Sequence, residues 1–389
     1  MVSLSLFIPQ ENSFPQEAEV PTLLETDAPA LLEAGALESS SSLAASTVFL
    51  LSNEITGTER SDRLFGTPED DNIFALGGND TIIGSTGNDS IFGAGGFDTV
   101  DYSEFGEAVT ILPAGSFDDG GDSLIVEVER IIGATSQPNL IDASSAIDNS
   151  TSLNVNLNNR SLAVENIPGI GTISFEVRNF VNVNGTPNND RIVGGNDDNI
   201  LDGFGGDNFL DGASGDDTII AEDGNDTING GNDNDLIFAG DGNNSINGNS
   251  GNDSIFTGDD NDTIDGGNDN DLLLSGSGND FLNGGSGSDS LIGLDGDDTL
   301  LGNNDNDILD GGFGNDLLTG GAGSDEFVLA AGEGTDTITD FGRDNDFIVL
   351  FGASFNDLTF AGSDIILGSE TLATLDGFDA TTLTEADFV

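Results

Sequence analysis

The chain has no lysine, histidine, cysteine or tryptophan, a single tyrosine, and only seven cations, all arginine, at 60, 63, 130, 160, 178, 191 and 343. Each absence closes a route. Too few cations remain to track a phosphate backbone, so a nucleic-acid binder is excluded. An anionic membrane surface would repel a chain of net charge −65. Without histidine or cysteine there is no imidazole or thiolate metal site and no Ser-His-Asp or Cys-His nucleophile. Without lysine there is no Schiff base and no P-loop lysine. The sequence has no run of about 18 apolar residues, so no transmembrane helix is expected. The first cation is Arg60 and the apolar run at 2–8 is short, so the N-terminus does not read as a cleaved export signal. Lack of cysteine is compatible with either redox compartment.

What is present is acid and glycine. There are 72 Asp plus Glu and 56 Gly in 389 residues, with apolar content at 35%. That composition means either disorder or a repeat. A repeat is found. Stepping by nine from Asp190 meets Asn199, Asn208, Asp217, Asp226, Asp235, Asn244, Asp253, Asp262, Asp271, Asp280, Asp289, Asp298, Asp307, Asp316 and Asp325, sixteen units without a gap. Two residues after each stands a large apolar residue, from Ile192 through Ile219, Ile237 and Leu273 to Phe327. A shorter array runs Asp62, Asp71, Asp80, Asp89 and Asp98, with Leu64, Ile73, Ile82, Ile91 and Val100 as apolar partners.

Each unit approximates Gly-Gly-x-Gly-x-Asp-x-U-x, with U large and apolar; 284–292 and 311–319 are good copies. Six residues rich in Gly, Asn and Asp tolerate positive φ and make a turn. The remaining x-U-x is a minimal strand that points U to one face. Two units then form one flattened coil of turn, strand, turn, strand. Coils stack as parallel strands about 4.8 Å apart, and sixteen units make a rod of roughly 38 Å. The expected fold class is all-β, a parallel β-roll or β-solenoid.

One buried side chain per nine ordered residues is a weak driving force against backbone entropy. Charge opposes folding further, because residues 190–325 hold 31 acids and one arginine. A divalent cation supplies the missing term. Stacked turns bring repeat n beside repeat n+2, so their carbonyls and carboxylates can build an all-oxygen cage of the kind calcium prefers. Sixteen units offer 14 such neighbours, so up to about 14 calcium ions are expected in the second array.

The nonapeptide resembles the RTX, or hemolysin-type calcium-binding, repeat over residues 55–100 and 183 to about 350. The resemblance implies a right-handed roll, with turn carbonyls and the sixth-position Asp as calcium ligands. Carried onto this chain, the metal ligands are Asp80, Asp89, Asp98, Asp190, Asp217, Asp226, Asp235, Asp253, Asp262, Asp271, Asp280, Asp289, Asp298, Asp307, Asp316 and Asp325. Asn199, Asn208 and Asn244 are neutral and weaker ligands, and Asp62 and Asp71 lie in glycine-poor turns, so these five stay outside the set. Position four is Asp instead of Gly at 197, 233, 260, 269 and 305, which Asp can satisfy in the left-handed region.

Simpler readings fit less well. A solvated acidic face needs no nine-residue phase and no fixed U position. An EF-hand needs a Glu at loop position twelve, and Glu222 is the only Glu inside the array. Asn-x-Ser/Thr strings such as 225–227 and Gly-x-Gly strings are by-products of the repeat.

The rest of the chain divides around the arrays. Residues 1–52 read as a disordered leader, and 53–100 as the first array. Residues 101–182 form a β segment outside the nonapeptide phase, expected to carry the roll on without calcium, with a small independent β domain as the rival. Strand-like runs there are 109–112, 124–128, 154–157, 173–177 and 180–183. Asp118, Asp119, Asp122 and Tyr102 could bind a ligand. Residues 183–328 are the second array, and 329–389 a C-terminal β cap. The final Asp387-Phe388-Val389 resembles the uncleaved signal of type I secretion substrates.

The expected function is an extracellular calcium-binding protein, not an enzyme, exported by a type I secretion machinery and folding on calcium outside the cell. A calcium-dependent surface-layer or adhesive scaffold, bridging to cell-surface polysaccharide through calcium, is the alternative. An RTX-tailed hydrolase acting through carboxylates is the third reading, weakened by the short stretch before the first repeats and the missing histidine.

Overall fold

The computed structural model describes residues 2–6, 47–48, 54–86, 89–105, 108–113, 122–126, 128–144, 150–167, 171–342 and 345–389. Its local rule is visible in one unit. In the strand Thr218–Ile220, Thr218 and Ile220 face outward and Ile219 is fully buried. Every U residue from Ile192 to Phe327 is buried in the same way, as are Leu64, Ile73, Ile82, Ile91 and Val100.

Consecutive units alternate between two sheets, and neighbours within a sheet are eighteen residues apart. Ile219 pairs with Ile237 and Ile237 with Ile255 in the first sheet. Ile228 pairs with Ile246 and Ile246 with Ile264 in the second. All these pairings are parallel, and the molecule is an all-β parallel solenoid of about 15 turns. The U residues from both sheets meet in one continuous core. Among the described residues no helix is long and apolar enough to cross a membrane.

Residues 101–182 leave the nine-residue phase, yet their strands pair with the array strands. In the first sheet Asp122–Val126 pairs with Ser90–Phe92, and Val109–Pro113 pairs with Asn139–Asp142, which leads through Phe180–Asn184 to Ile200–Asp202. The strand Val2–Leu6 lies between Val109–Pro113 and Asp122–Val126, parallel to both. In the second sheet Thr99–Asp101 pairs with Arg130–Ile132, and that with Gly171–Arg178. Ser152–Asn156, Ser161–Ile167 and Gly171–Arg178 form an antiparallel meander, with Leu162 and Val164 buried on its inner face. Of the leader expected over 1–52, only Val2–Leu6 and Thr47–Val48 fall among the described residues.

Beyond the second array, Glu326–Ala330 pairs with Phe347–Phe351 and Leu317–Ala322 with Asp336–Ile338. Leu358–Ala361, Asp364–Leu367 and Glu370–Leu375 then form an antiparallel sheet joined to Asp336–Ile338. Phe388 packs on Phe355, and the Val389 N–H donates to the Ile348 carbonyl at 3.1 Å.

The two outer faces differ. On the first sheet Ile220, Phe238, Phe256, Leu274 and Ile292 stand in register, and the rings of Phe238 and Phe256 stack 5.3 Å apart. The equivalent row on the second sheet is Asp211, Asn229, Asn247, Asp265 and Asn283.

Candidate metal centre

The sixth-position Asp side chains point into the roll at the turn and are buried; Asp217, Asp226, Asp253, Asp298 and Asp307 are each about 1% exposed. Their two carboxylate oxygens have different tasks. Oδ1 accepts the main-chain N–H of the Asx residue one coil earlier. Asp217 N–H donates to Asp235 at 2.8 Å, Asp235 to Asp253 at 2.8 Å, and Asp253 to Asp271 at 2.8 Å. A parallel ladder on the other edge links Asp226, Asn244, Asp262 and Asp280. The fixed spacing thus has a structural cause independent of any ion: each Asx closes an otherwise unmet N–H in the preceding turn.

Oδ2 is the other half of the carboxylate. Among the described residues it has no hydrogen-bond partner in Asp80, Asp98, Asp217, Asp226, Asp235, Asp253, Asp262, Asp271, Asp280, Asp289, Asp298, Asp307 and Asp316. A buried anionic oxygen without a partner is costly, and a row of thirteen requires a common compensating group. The surroundings of Oδ2 say what that group is. Beside Gly230, Asp235 Oδ2 and the Gly248 carbonyl converge on the same space: a Cβ there would lie 2.5 Å from one and 2.8 Å from the other. The Asn turns report the remaining donors. Asn208 Nδ2 donates to the carbonyls of Phe204 and Gly206 at 3.3 and 3.0 Å, and Asn244 Nδ2 to those of Gly240 and Gly242 at 3.2 and 2.9 Å. Turn positions two and four therefore aim their carbonyls at the sixth side chain. Where that side chain is Asp, oxygen faces oxygen, and either a bound cation or a proton on the carboxyl reconciles them.

This donor set is all oxygen, mostly main chain, with one carboxylate from each turn, which suits calcium. Among the described residues no group of three or more acidic side chains is placed to hold a metal ion by itself, so main-chain carbonyls would have to supply most of the ligands. When bound, the ion would supply charge neutralisation and a cross-link between coils. The protein's part is to hold the oxygens in place through the Oδ1 ladder.

Burial raises the carboxyl pKa of these residues, because the charged form loses its solvation; the donating N–H opposes the rise and nearby carboxylates add to it. Asp235, Asp271 and Asp307 are pushed up to about 8, Asp217 and Asp298 to about 7, and Asp226, Asp253, Asp262 and Asp289 to about 6. The charged carboxylate is thus disfavoured where no positive charge stands beside it.

Two of the sequence-derived ligands sit differently. Asp190 accepts from the Thr186 N–H at 2.5 Å, the Thr186 hydroxyl at 3.0 Å and the Leu153 N–H at 2.5 Å. The Ser85 hydroxyl reaches Asp89 Oδ2 at 3.0 Å. Asp325 is buried, and its Oδ1 accepts the Asp307 N–H at 3.0 Å. Position four also resolves. Asp233, Asp260, Asp269 and Asp305 adopt φ between 72° and 82°, whereas Asp197 is not in the left-handed region.

The sequence pattern does not reveal the residues that extend the ladder past the nine-residue phase. Glu129 Oε2 accepts the Asp98 N–H at 2.7 Å, Asp336 Oδ1 the Asp316 N–H at 3.1 Å, and Asp346 Oδ1 the Asp325 N–H at 3.2 Å. Their offsets of 31, 20 and 21 residues hide them from a search at eighteen. A second, exposed ladder also escapes the sequence reading. The residue before many of the Asx positions accepts from the following coil, as in Asn234 N–H to Asp216 and Asn252 N–H to Asn234. The recurrent Asn at position five is its signal. Of the four residues considered for a separate ligand, Asp118 and Asp119 lie outside the described residues, as does the Asp122 side chain. Tyr102 is a core residue against Phe105.

A parallel β-roll with a row of buried, unpartnered carboxylate oxygens in its turns defines a class of cation-binding repeat protein. The model of the RTX calcium-binding nonapeptide repeat (4 copies) matches residues 56–91, 65–100, 184–219, 211–246, 238–273, 274–309, 292–327 and 301–338, together just over half of the chain. The chain belongs to the RTX calcium-binding repeat family, and it is a calcium-binding RTX protein. Among solved structures it is similar to the extracellular lipase LipA from Serratia marcescens at 15% identity, over 85% of this chain and 40% of that one, with a TM-score of 0.15. A score that low carries no argument, and the chain spans 40% of the lipase's length. Curated proteins offer no match.

Proposed function

We propose that the protein is exported as an unfolded acidic chain and folds outside the cell when calcium fills the orphaned turns. The observation that carries this reading is the row of thirteen buried Oδ2 atoms without partners. With no cation, that row and the net charge of −65 oppose the roll. Calcium in the millimolar range of extracellular modules reverses the balance, because it binds the folded form alone. An unfolded chain suits a narrow export channel, and type I secretion machinery is the partner this implies. The function is binding and folding, without catalysis. The test is far-UV circular dichroism during a calcium titration, with magnesium as control. A cooperative gain of β signal at about 0.1–1 mM calcium, reversed by chelator, is the expected result. A β spectrum indifferent to calcium would refute it.

The apolar row on the first sheet favours a second reading, a calcium-dependent surface scaffold. Leu236 and Phe238 are 36% and 41% exposed, and Ile308 is 41% exposed on the same face. In that reading calcium also bridges the acidic surface to cell-surface polysaccharide. Light scattering that rises with calcium distinguishes a self-associating scaffold from a monomer.

A further inference from the structure

The turns are of two kinds, and their order along the chain is not random. In most, Asp Oδ2 is buried without a partner. In six, the chain itself supplies the donor through a main-chain N–H with a Thr hydroxyl, or through an Asn amide, and Asp89 inside the first array also receives the Ser85 hydroxyl at 3.0 Å. Asp62 Oδ2 accepts from the Thr58 N–H at 2.6 Å and the Thr58 hydroxyl at 2.7 Å. Asp71 is closed identically by Thr67, at 2.6 and 3.0 Å, and Asp190 accepts the Thr186 N–H through Oδ2 at 2.5 Å and the Thr186 hydroxyl through Oδ1 at 3.0 Å. Asn199 accepts the Gly195 N–H at 2.6 Å through Oδ1 and donates from Nδ2 to the Val181 carbonyl at 2.6 Å. Asn208 and Asn244 keep the Oδ1 ladder contact, accepting from Asp190 and Asp226 at 3.0 Å each, while Nδ2 takes the place of the ion before the turn carbonyls. Asp62 and Asp71 open the first array, and Asp190, Asn199 and Asn208 open the second.

We infer that these six turns take no calcium, and that the closed turns opening each array form calcium-independent starting coils on which the calcium-requiring coils are laid down. This rests on the reading that calcium fills the orphaned turns. The chemistry is direct: a Thr hydroxyl with its N–H satisfies the carboxylate, and an amide satisfies the carbonyls, so neither turn presents an unmet charge. The mechanics follow from the architecture. In a solenoid each coil needs only its neighbour, so a formed coil removes the nucleation step for the next. Asn244 stands alone inside the array and acts only as a gap in the ion row.

The experiment has two arms on the full chain. In chelator, hydrogen exchange read by mass spectrometry should show the amides of Arg191–Val193, Ile200–Asp202 and Phe209–Ser214 protected at least tenfold more than those of Leu272–Ser277 and Thr299–Asn304, and saturating calcium should erase the difference. Uniform protection in chelator, high or absent, overturns the starting-coil assignment. In the second arm, bound calcium is counted by equilibrium dialysis with elemental analysis. The Asn208→Asp, Asn244→Asp double variant should bind two more ions than the parent; an unchanged count overturns the assignment of these turns. A parent chain that binds no calcium at millimolar concentration would instead refute the reading beneath it.

Discussion

The main-chain N–H of Asp217 donates to Oδ1 of Asp235, one coil further along the roll, at 2.8 Å, while Oδ2 of the same Asp235 has no hydrogen-bond partner. One carboxylate thus performs two separable tasks, register and cation binding, and substitutions can divide them.

Asp235→Asn should keep the ladder and lose the ion. Its amide would donate to the carbonyls of turn positions two and four, as Asn244 does. Asp235→Ala removes the acceptor too and leaves the Asp217 N–H unmet, which costs about 1–3 kcal/mol more. Urea unfolding at saturating calcium should rank parent, Asn variant and Ala variant in that order. Equal midpoints for Asn and Ala would remove the ladder from the account.

The calcium-free chain should gain structure on acidification. Carboxyls that sit at about 6 to 8 in the fold, as at Asp226, Asp217 and Asp235, return to about 4 when unfolded. Between those values the folded form binds more protons, so stability falls as pH rises through the window and recovers as pH is lowered. In chelator, β signal at pH 5 should exceed that at pH 8. Calcium should act in the opposite sense, binding more weakly at pH 5 because protons compete. A titration in which the chelated chain loses structure toward pH 5 would contradict this.

Gly251 and Asp233 both occupy turn position four but are not interchangeable. Gly251 has φ of 126°, and a Cβ on it would lie 2.0 Å from the Asp233 carbonyl of the preceding coil. Asp233 has φ of 74°, within reach of an L residue. Gly251→Ala should lower stability by about 1–3 kcal/mol or more, whereas Asp233→Gly should change it by less than about 1 kcal/mol. Chemical denaturation of both variants in calcium checks the contrast.

Leu273 is fully buried between paired Ile255 and Leu291. Truncation to Ala should destabilise the calcium-loaded roll by about 2–5 kcal/mol, without altering the number of bound ions. A lower ion count at full folding would mean that the core and the turns are not independent.

The coil, the U core and the Asp row are legible in the nine-residue phase, because period and residue type repeat without a gap from Asp190 to Asp325. The strand at 161–167 is not, although Leu162 and Val164 alternate there, since a single strand gives little signal among turn residues. The extension through Glu129, Asp336 and Asp346 is illegible for a different reason, because loops of unequal length displace these residues from the repeat spacing.

From sequence alone come the alternation of turn and strand, the inward row, the acid excess and the need for a counter-charge, all properties of a short local unit copied many times. Only the tertiary structure decides which carboxylates need an ion. Asp190 and Asp235 occupy the same position in their repeats, yet one is closed by Thr186 and Leu153 and the other has an unpartnered Oδ2. That difference depends on donors in the turn and on the coil stacked beside it. Thr186 stands four residues before Asp190 in the same turn, whereas Leu153, 37 residues earlier, is brought within hydrogen-bond range only by stacking, which no local pattern records.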